Sequence, residues 1–165
     1  AVPKEMFKGV MRARPYDSEE DAIEAIMKKE IKPGDAVFIR YEGPKGGPGM
    51  REMHMTTSLL VGRGMDESCA LVTDGRFSGS TRGPCIGHIS PEAAADGPIA
   101  AVEDGDRIII DIPNRRLDLD VPADIIEKRL SKVKHIVKER TPALAKYAAL
   151  VTSADKGAVL KIPNE

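Results

Sequence analysis

The chain has 165 residues, of which 41% are hydrophobic and 31% charged, and its 25 basic and 26 acidic side chains leave a formal net charge of -1. That is the composition of one folded domain with its own core, with no electrostatic grip on nucleic acid or on an anionic membrane. With 4% aromatic residues and no Trp, no stacking platform for single strands is expected.

Residues 1–17 are mixed in character and broken by Pro3 and Pro15. Ser18 followed by Glu19, Glu20 and Asp21 is a capping side chain with acids in the first turn, and Ala22, Ile23, Ile26 and Met27 share one face. A helix is predicted over 19–30. Lys32-Pro33-Gly34-Asp35 is a turn, and residues 36–41 read as a strand. Residues 43–49, Gly-Pro-Lys-Gly-Gly-Pro-Gly, suit neither a helix nor a central strand, because glycine opens and proline fixes the backbone angles. A helix is predicted over 50–61, a short buried strand over 70–73, a second loop over 74–84 and one helical turn over 91–95. Strands follow at 99–102, 107–112 and 116–121. The last alternates Leu117, Leu119 and Val121 with Asp118 and Asp120. Residues 123–137 and 142–151 close the chain as helices, the second with Thr141 as its cap and Pro142 in its first turn. Four helices around a strand-rich middle predict an α+β fold, with a curved sheet or partial barrel covered by helices.

No apolar run approaches the roughly 20 residues of a spanning helix, so no membrane crossing is expected. No basic-then-apolar segment opens the chain. Cys69 and Cys85 form no CxxC pair, and a cytoplasmic setting is expected rather than a disulfide framework. Both read as small buried hydrophobes. The opening Ala-Val-Pro, without an initiator Met, suggests a fragment or a processed product.

Two loops could carry chemistry. The first runs directly into Met50-Arg51-Glu52-Met53. A Gly-rich loop feeding a helix presents free N–H groups to an anion, but this one is not a GxxxxGK[ST] phosphate loop, since no Ser or Thr follows Lys45. The alternative is a sharp crossover and nothing more. Glu52, expected in the first helical turn, would be held ionised by the helix dipole and would suit a hard cation. The plainer reading is a surface acid that complements the dipole. The second loop, residues 73–83, holds Asp74, Arg76, Ser78, Ser80, Thr81 and Arg82 among three glycines. Ser78 and Ser80 could present hydroxyls, and Arg76 and Arg82 could grip a carboxylate. Equally, the arginines could pair with Asp74 or Glu92 in a solvated turn. A nucleophilic Ser needs a neighbouring base. His88 could lie near Ser78 but has no evident orienting acid, and His135 sits among Lys132, Lys134 and Lys138 and is expected in solvent.

The wording of these loops goes further than their composition. Residues 40–53, from Arg40-Tyr41-Glu42 through Met50-Arg51-Glu52-Met53, resemble a signature segment of the dihydroxy-acid dehydratases. So do Thr73-Asp74-Gly75-Arg76-Phe77-Ser78-Gly79-Ser80-Thr81-Arg82-Gly83 and the run Cys85 to Ala93. Pro113-Asn114-Arg115-Arg116, Lys146-Tyr147-Ala148 and Ser153 to Ala158 resemble the family's C-terminal part, so the likeness spans residues 17–160. The related phosphogluconate and sugar-acid dehydratases share the Arg-x-Ser-Gly core.

The resemblance implies a swivelling β/β/α domain, the single C-terminal domain of a larger homodimeric hydro-lyase. It closes over an N-terminal domain that binds an iron–sulfur cluster and lies outside these 165 residues. The implied reaction removes water from a 2,3-dihydroxy-3-methyl carboxylate to give a 2-oxo acid in valine and isoleucine biosynthesis. A base takes the C2 proton, a divalent ion holds the carboxylate and C2 oxygen, and a Lewis acid draws off the C3 hydroxyl. By resemblance Glu52 matches the family's magnesium-binding glutamate and Ser78 its proton acceptor, while Ser80 is a candidate substrate contact. The cluster cysteines are not Cys69 or Cys85, and no turnover is expected without the cluster domain. The alternatives are a sugar-acid dehydratase of the same family, a non-catalytic assembly or binding domain, and a stand-alone small subunit of an isopropylmalate-isomerase-type enzyme.

Overall fold

The structure, a computed structural model, describes residues 2–138 and 140–162. In chain order it contains β1 (Lys8–Tyr16), α1 (Glu19–Met27), β2 (Asp35–Ile39), α2 (His54–Gly62), β3 (Ala70–Thr73), β4 (Cys85–Ile86), β5 (Arg107–Asp111), β6 (Arg116–Leu119), α3 (Ala123–Leu130) and α4 (Pro142–Leu150). The strands form one curled sheet in the order β4-β3-β2-β1-β5-β6, and with the helices it makes the expected α+β half-barrel. Strands β1 to β4 run parallel, while β5 and β6 form an antiparallel hairpin added beside β1.

The central strands carry apolar residues on both faces because both faces are covered. Ala36, Phe38, Ala70 and Val72 face one core, shared with Met11, Ala13, Ile99, Val102, Ile108 and Ile110. Val37, Ile39 and Leu71 face the other, under Ala22 and Ile26 of α1, Leu60 of α2, and Met53. The two caps read from sequence are formed. Ser18 accepts the Asp21 N–H at 3.1 Å and Thr141 the Leu144 N–H at 3.3 Å.

Four elements differ from the sequence reading. β1 is a strand in a segment of mixed character, with Pro15 inside it. Arg12 donates its N–H toward β2 and Ala13 toward Asp106, so the alternation puts the Pro15 nitrogen on the β5 side. There β5 has already ended its pairing, at Arg12 opposite Arg107, and the missing donor leaves no ladder bond unmade. The apolar run 99–102 is a 3-10 turn, Pro98–Ala101, entered through the fixed φ of Pro98. The Arg40 guanidinium, reaching across from the end of β2, holds the carbonyls of Ala100 and Val102 at 3.1 and 3.0 Å. α3 stops at Leu130 rather than 137, and beyond it the chain runs on without helix to Lys138, which meets the buried carboxylate of Glu42. α2 begins at His54, not at Met50.

Candidate active-site loops

β2 and β3 are parallel neighbours, with Ile39 opposite Thr73. The chain leaving each strand therefore emerges at the same end of the sheet, the end at which open α/β sheets gather ligands. Residues 40–53 follow β2 and residues 74–84 follow β3. Their backbones are joined. Arg76 N–H donates to Arg51 O at 3.0 Å, Met53 N–H donates to Arg76 O at 2.8 Å, and Glu52 lies opposite Arg76 in a parallel bridge. The Arg76 side chain adds a bond from Nε to Met50 O at 2.8 Å. Gly75 makes the approach possible, since a Cβ there would lie 2.8 Å from Arg51 O and 3.0 Å from Glu42 O.

Glu52 precedes α2 instead of opening it, so the helix-dipole argument for its ionisation does not hold. Its carboxylate is exposed and makes no hydrogen bond or ion pair among the described residues. Ser78, two residues beyond the bridge partner Arg76, is half-buried, and its Oγ accepts the Ser80 N–H at 3.3 Å. It lines an open groove of about 270 Å³ with Phe77, Thr81, Cys85, Gly87 and His88. Ser80 is exposed on the same turn. His88 has no carboxylate partner among the described residues, so no triad forms around Ser78. His135 is exposed, as expected, and faces the exposed Asp96 at 3.0 Å.

Beneath the loops lie three carboxylates, two of which the sequence offered only as arginine partners. Neither Asp74 nor Glu92 pairs with an arginine. Asp74 is fully buried and accepts the backbone N–H groups of Tyr41 (3.1 Å), Glu42 (2.9 Å) and Ala93 (3.0 Å). Burial pushes its carboxyl up to about 6, against the three N–H bonds that favour the anion. Glu92 accepts the N–H groups of Lys45 and Gly46 at 2.9 and 2.8 Å. Two of the first loop's donors are thus turned inward onto the protein's own acid and are not presented to an external anion. Glu42, also fully buried, takes the Glu19 N–H at 3.1 Å, Arg51 at 3.4 Å and Lys138 at 2.5 Å. The one sequence signal was an acid beside glycine or proline in each case: Glu42-Gly43, Asp74-Gly75 and Pro91-Glu92.

The donor set fits the implied groups unequally. Glu52 is a free hard-oxygen ligand on a rim and fits a magnesium ion as one of its ligands. Among the described residues, however, no group of three or more His, Cys, Asp or Glu side chains is arranged to hold a metal. The cysteines do not fit a cluster. Cys69 is buried, with Sγ donating to Lys32 O at 3.2 Å, and the Cys85 Sγ donates to Arg82 O at 3.4 Å. Burial raises both thiols, that of Cys85 to about 11, whereas a thiolate is what an iron binds.

By fold and loop geometry this is an α+β domain that carries an acid and an alcohol on two joined loops at the carboxyl ends of parallel strands. Residues 1–158 match the family described as dihydroxy-acid/6-phosphogluconate dehydratase C-terminal, and the chain belongs to that family. It is 56% identical over 159 residues to the dihydroxy-acid dehydratase of Methanococcoides burtonii, 57% over 156 to that of Aquifex aeolicus, and 59% over 160 to that of Geobacter metallireducens. These alignments cover 96%, 94% and 96% of this chain but 29%, 28% and 29% of the relatives. The chain therefore spans less than a third of the length of the curated relatives it matches.

Proposed function

We propose that this chain is the C-terminal part of a dihydroxy-acid dehydratase, a hydro-lyase that turns 2,3-dihydroxy-3-methyl carboxylates into 2-oxo acids in valine and isoleucine biosynthesis. What most supports the reading is the joining of the two loops: the Glu52–Arg76 bridge holds a free carboxylate and the Ser78 hydroxyl on adjacent strand exits.

In this reading Ser78 Oγ, as its alkoxide, takes the proton from C2. The C–H electron pair forms the C2=C3 bond as the C3 oxygen leaves with its electrons. The enol then tautomerises to the 2-oxo acid. The Ser80 N–H, already directed at Ser78 Oγ, would stabilise the anion, as oxyanion-hole donors do. Glu52 would hold magnesium, which supplies positive charge for the substrate's carboxylate and C2 oxygen. Ser80 would also border the substrate. The iron–sulfur ligands belong to an N-terminal domain outside these 165 residues, and the chain alone does not turn over. The whole protein is read as a cytoplasmic homodimer. Among the described residues no helix is long and apolar enough to cross a membrane.

The test is to load the full-length protein with cluster and magnesium and to follow 2-oxo acid formation from 2,3-dihydroxy-3-methylbutanoate and from 6-phosphogluconate. Ser78→Ala and Glu52→Ala are expected to lose dehydration while keeping the cluster's absorbance. Retained activity in both variants would defeat the site assignment, and preference for the sugar acid would move the protein to the other branch of the family.

A further inference from the structure

We propose that Asp74 is a positioning residue that locks the Glu52 loop to the Ser78 loop, so that the two side chains are set relative to each other before substrate arrives. The inference rests on the roles proposed above for Glu52 and Ser78.

Asp74 is the first residue of the second loop, yet two of its three hydrogen bonds go to the root of the first. Oδ2 accepts from Tyr41 and Oδ1 from Glu42. Tyr41 has a φ of 59°, a left-handed backbone unusual for a residue with a side chain. It begins the turn that carries the chain away from β2, and a buried carboxylate on its N–H holds it there. The third bond, to Ala93 N–H, ties in the segment whose Glu92 clamps Lys45 and Gly46. On the other side of Asp74 the chain is equally constrained. Gly75 N–H donates to Thr73 Oγ1 at 3.0 Å, and Gly75 lies against Glu42 and Arg51 without room for a Cβ. Next comes Arg76, the bridge partner of Glu52, and two residues later Ser78. Asp74 thus reaches both loops at their shared root. It is fully buried and does not line the groove around Ser78, so it acts through the loops and not on substrate.

The experiment uses the full-length enzyme with its cofactors. Asp74→Asn keeps the shape but replaces one acceptor oxygen with an N–H₂ facing an N–H. Supporting residues around metal ligands typically carry a 10–100-fold effect. Asp74→Asn is expected to lower kcat by roughly that factor and to raise the half-saturating magnesium concentration, with the substrate KM little changed. Amide exchange at Tyr41, Glu42 and residues 76–80 is expected to quicken. Unchanged kcat and magnesium dependence in a variant whose amides exchange faster would make the bonds merely structural and overturn the proposal. If Asp74→Asn does not fold, the wild-type protein decides. Magnesium should slow exchange in residues 76–80 as well as 41–52, and protection confined to the first loop overturns the lock. Ser78→Ala and Glu52→Ala report on the site reading separately, since both leave Asp74 and its three hydrogen bonds in place.

Discussion

A Cβ on Gly43 would lie 2.6 Å from Glu92 Oε2 and 3.0 Å from Glu92 Cβ. Glu92 cannot step aside, because its carboxylate is held by the N–H groups of Lys45 and Gly46 and is only 1% exposed. Gly43→Ala is therefore expected to destabilise the fold by about 1–3 kcal/mol, the usual range for overpacking. Gly9→Ala, where a Cβ would meet nothing within 4 Å, should change stability by less than about 0.5 kcal/mol. Urea denaturation of both variants checks the contrast, and equal effects would mean that Glu92 yields.

Removing the cation from Glu42 should cost more than removing a neighbouring one. Lys138 Nζ lies 2.5 Å from Glu42 Oε1, and the Glu42 side chain is fully enclosed. Lys138→Met leaves Glu42 with Arg51 at 3.4 Å and the Glu19 N–H. The expected loss is on the order of 2–3 kcal/mol, toward the lower end for a broken buried pair because those partners remain. Exposed Lys134 has no such partner among the described residues, and Lys134→Met should be near neutral. Thermal melting of the pair measures the difference.

Asp74 should make stability depend on pH in an unusual direction for a carboxyl group. Its folded value, about 6, lies above the roughly 3.9 of an unfolded Asp. The folded state thus binds the proton more tightly than the unfolded state. The stabilisation from this group is full below about 4 and is lost as pH rises through about 6. Measured from pH 4 to pH 7, the stability of the wild type relative to Asp74→Asn should fall. A difference that rises over that window would show that the three N–H bonds outweigh burial.

Neither cysteine should behave as a reactive thiol. Burial raises Cys69 and pushes Cys85 up to about 11, and the nucleophile is the thiolate. Iodoacetamide at pH 7.5 is expected to modify both slowly in the folded protein and rapidly after denaturation, as read by mass spectrometry. Cys85→Ser should leave iron content unchanged in the full-length protein. Fast alkylation of Cys85, or loss of iron in the variant, would contradict its place as a half-buried thiol of raised pKa on the wall of the Ser78 groove.

Much of the fold was legible where the governing contacts are local. Ser18 and Thr141 cap their helices through bonds spanning three residues, and the apolar runs of β2 and β3 declare strands covered on both faces. β1 was not legible. Its arginines pair with the buried Asp35 and the exposed Asp104, and charged letters of this kind disguise a central strand as a mixed segment. The run 99–102 looked like a strand until Pro98 and the distant Arg40 made it a turn. The apolar spacing past Leu130 suggested more of α3, but the chain there leaves the helix and Lys138 pairs with Glu42, 96 residues earlier in the sequence.

The amino-acid order by itself determined that there would be two glycine-loosened loops after two buried strands, and the wording of those loops carried the family. Only the tertiary structure decided that the loops are joined and that their inward N–H groups are spoken for. The residues responsible are far apart along the chain: Asp74 lies 32 residues from Glu42 and Glu92 lies 46 from Gly46. A buried acid and a solvated one are the same letter in a sequence. What separates them is whether backbone donors come within about 3 Å, and that depends on how the parallel strands bring their exits together.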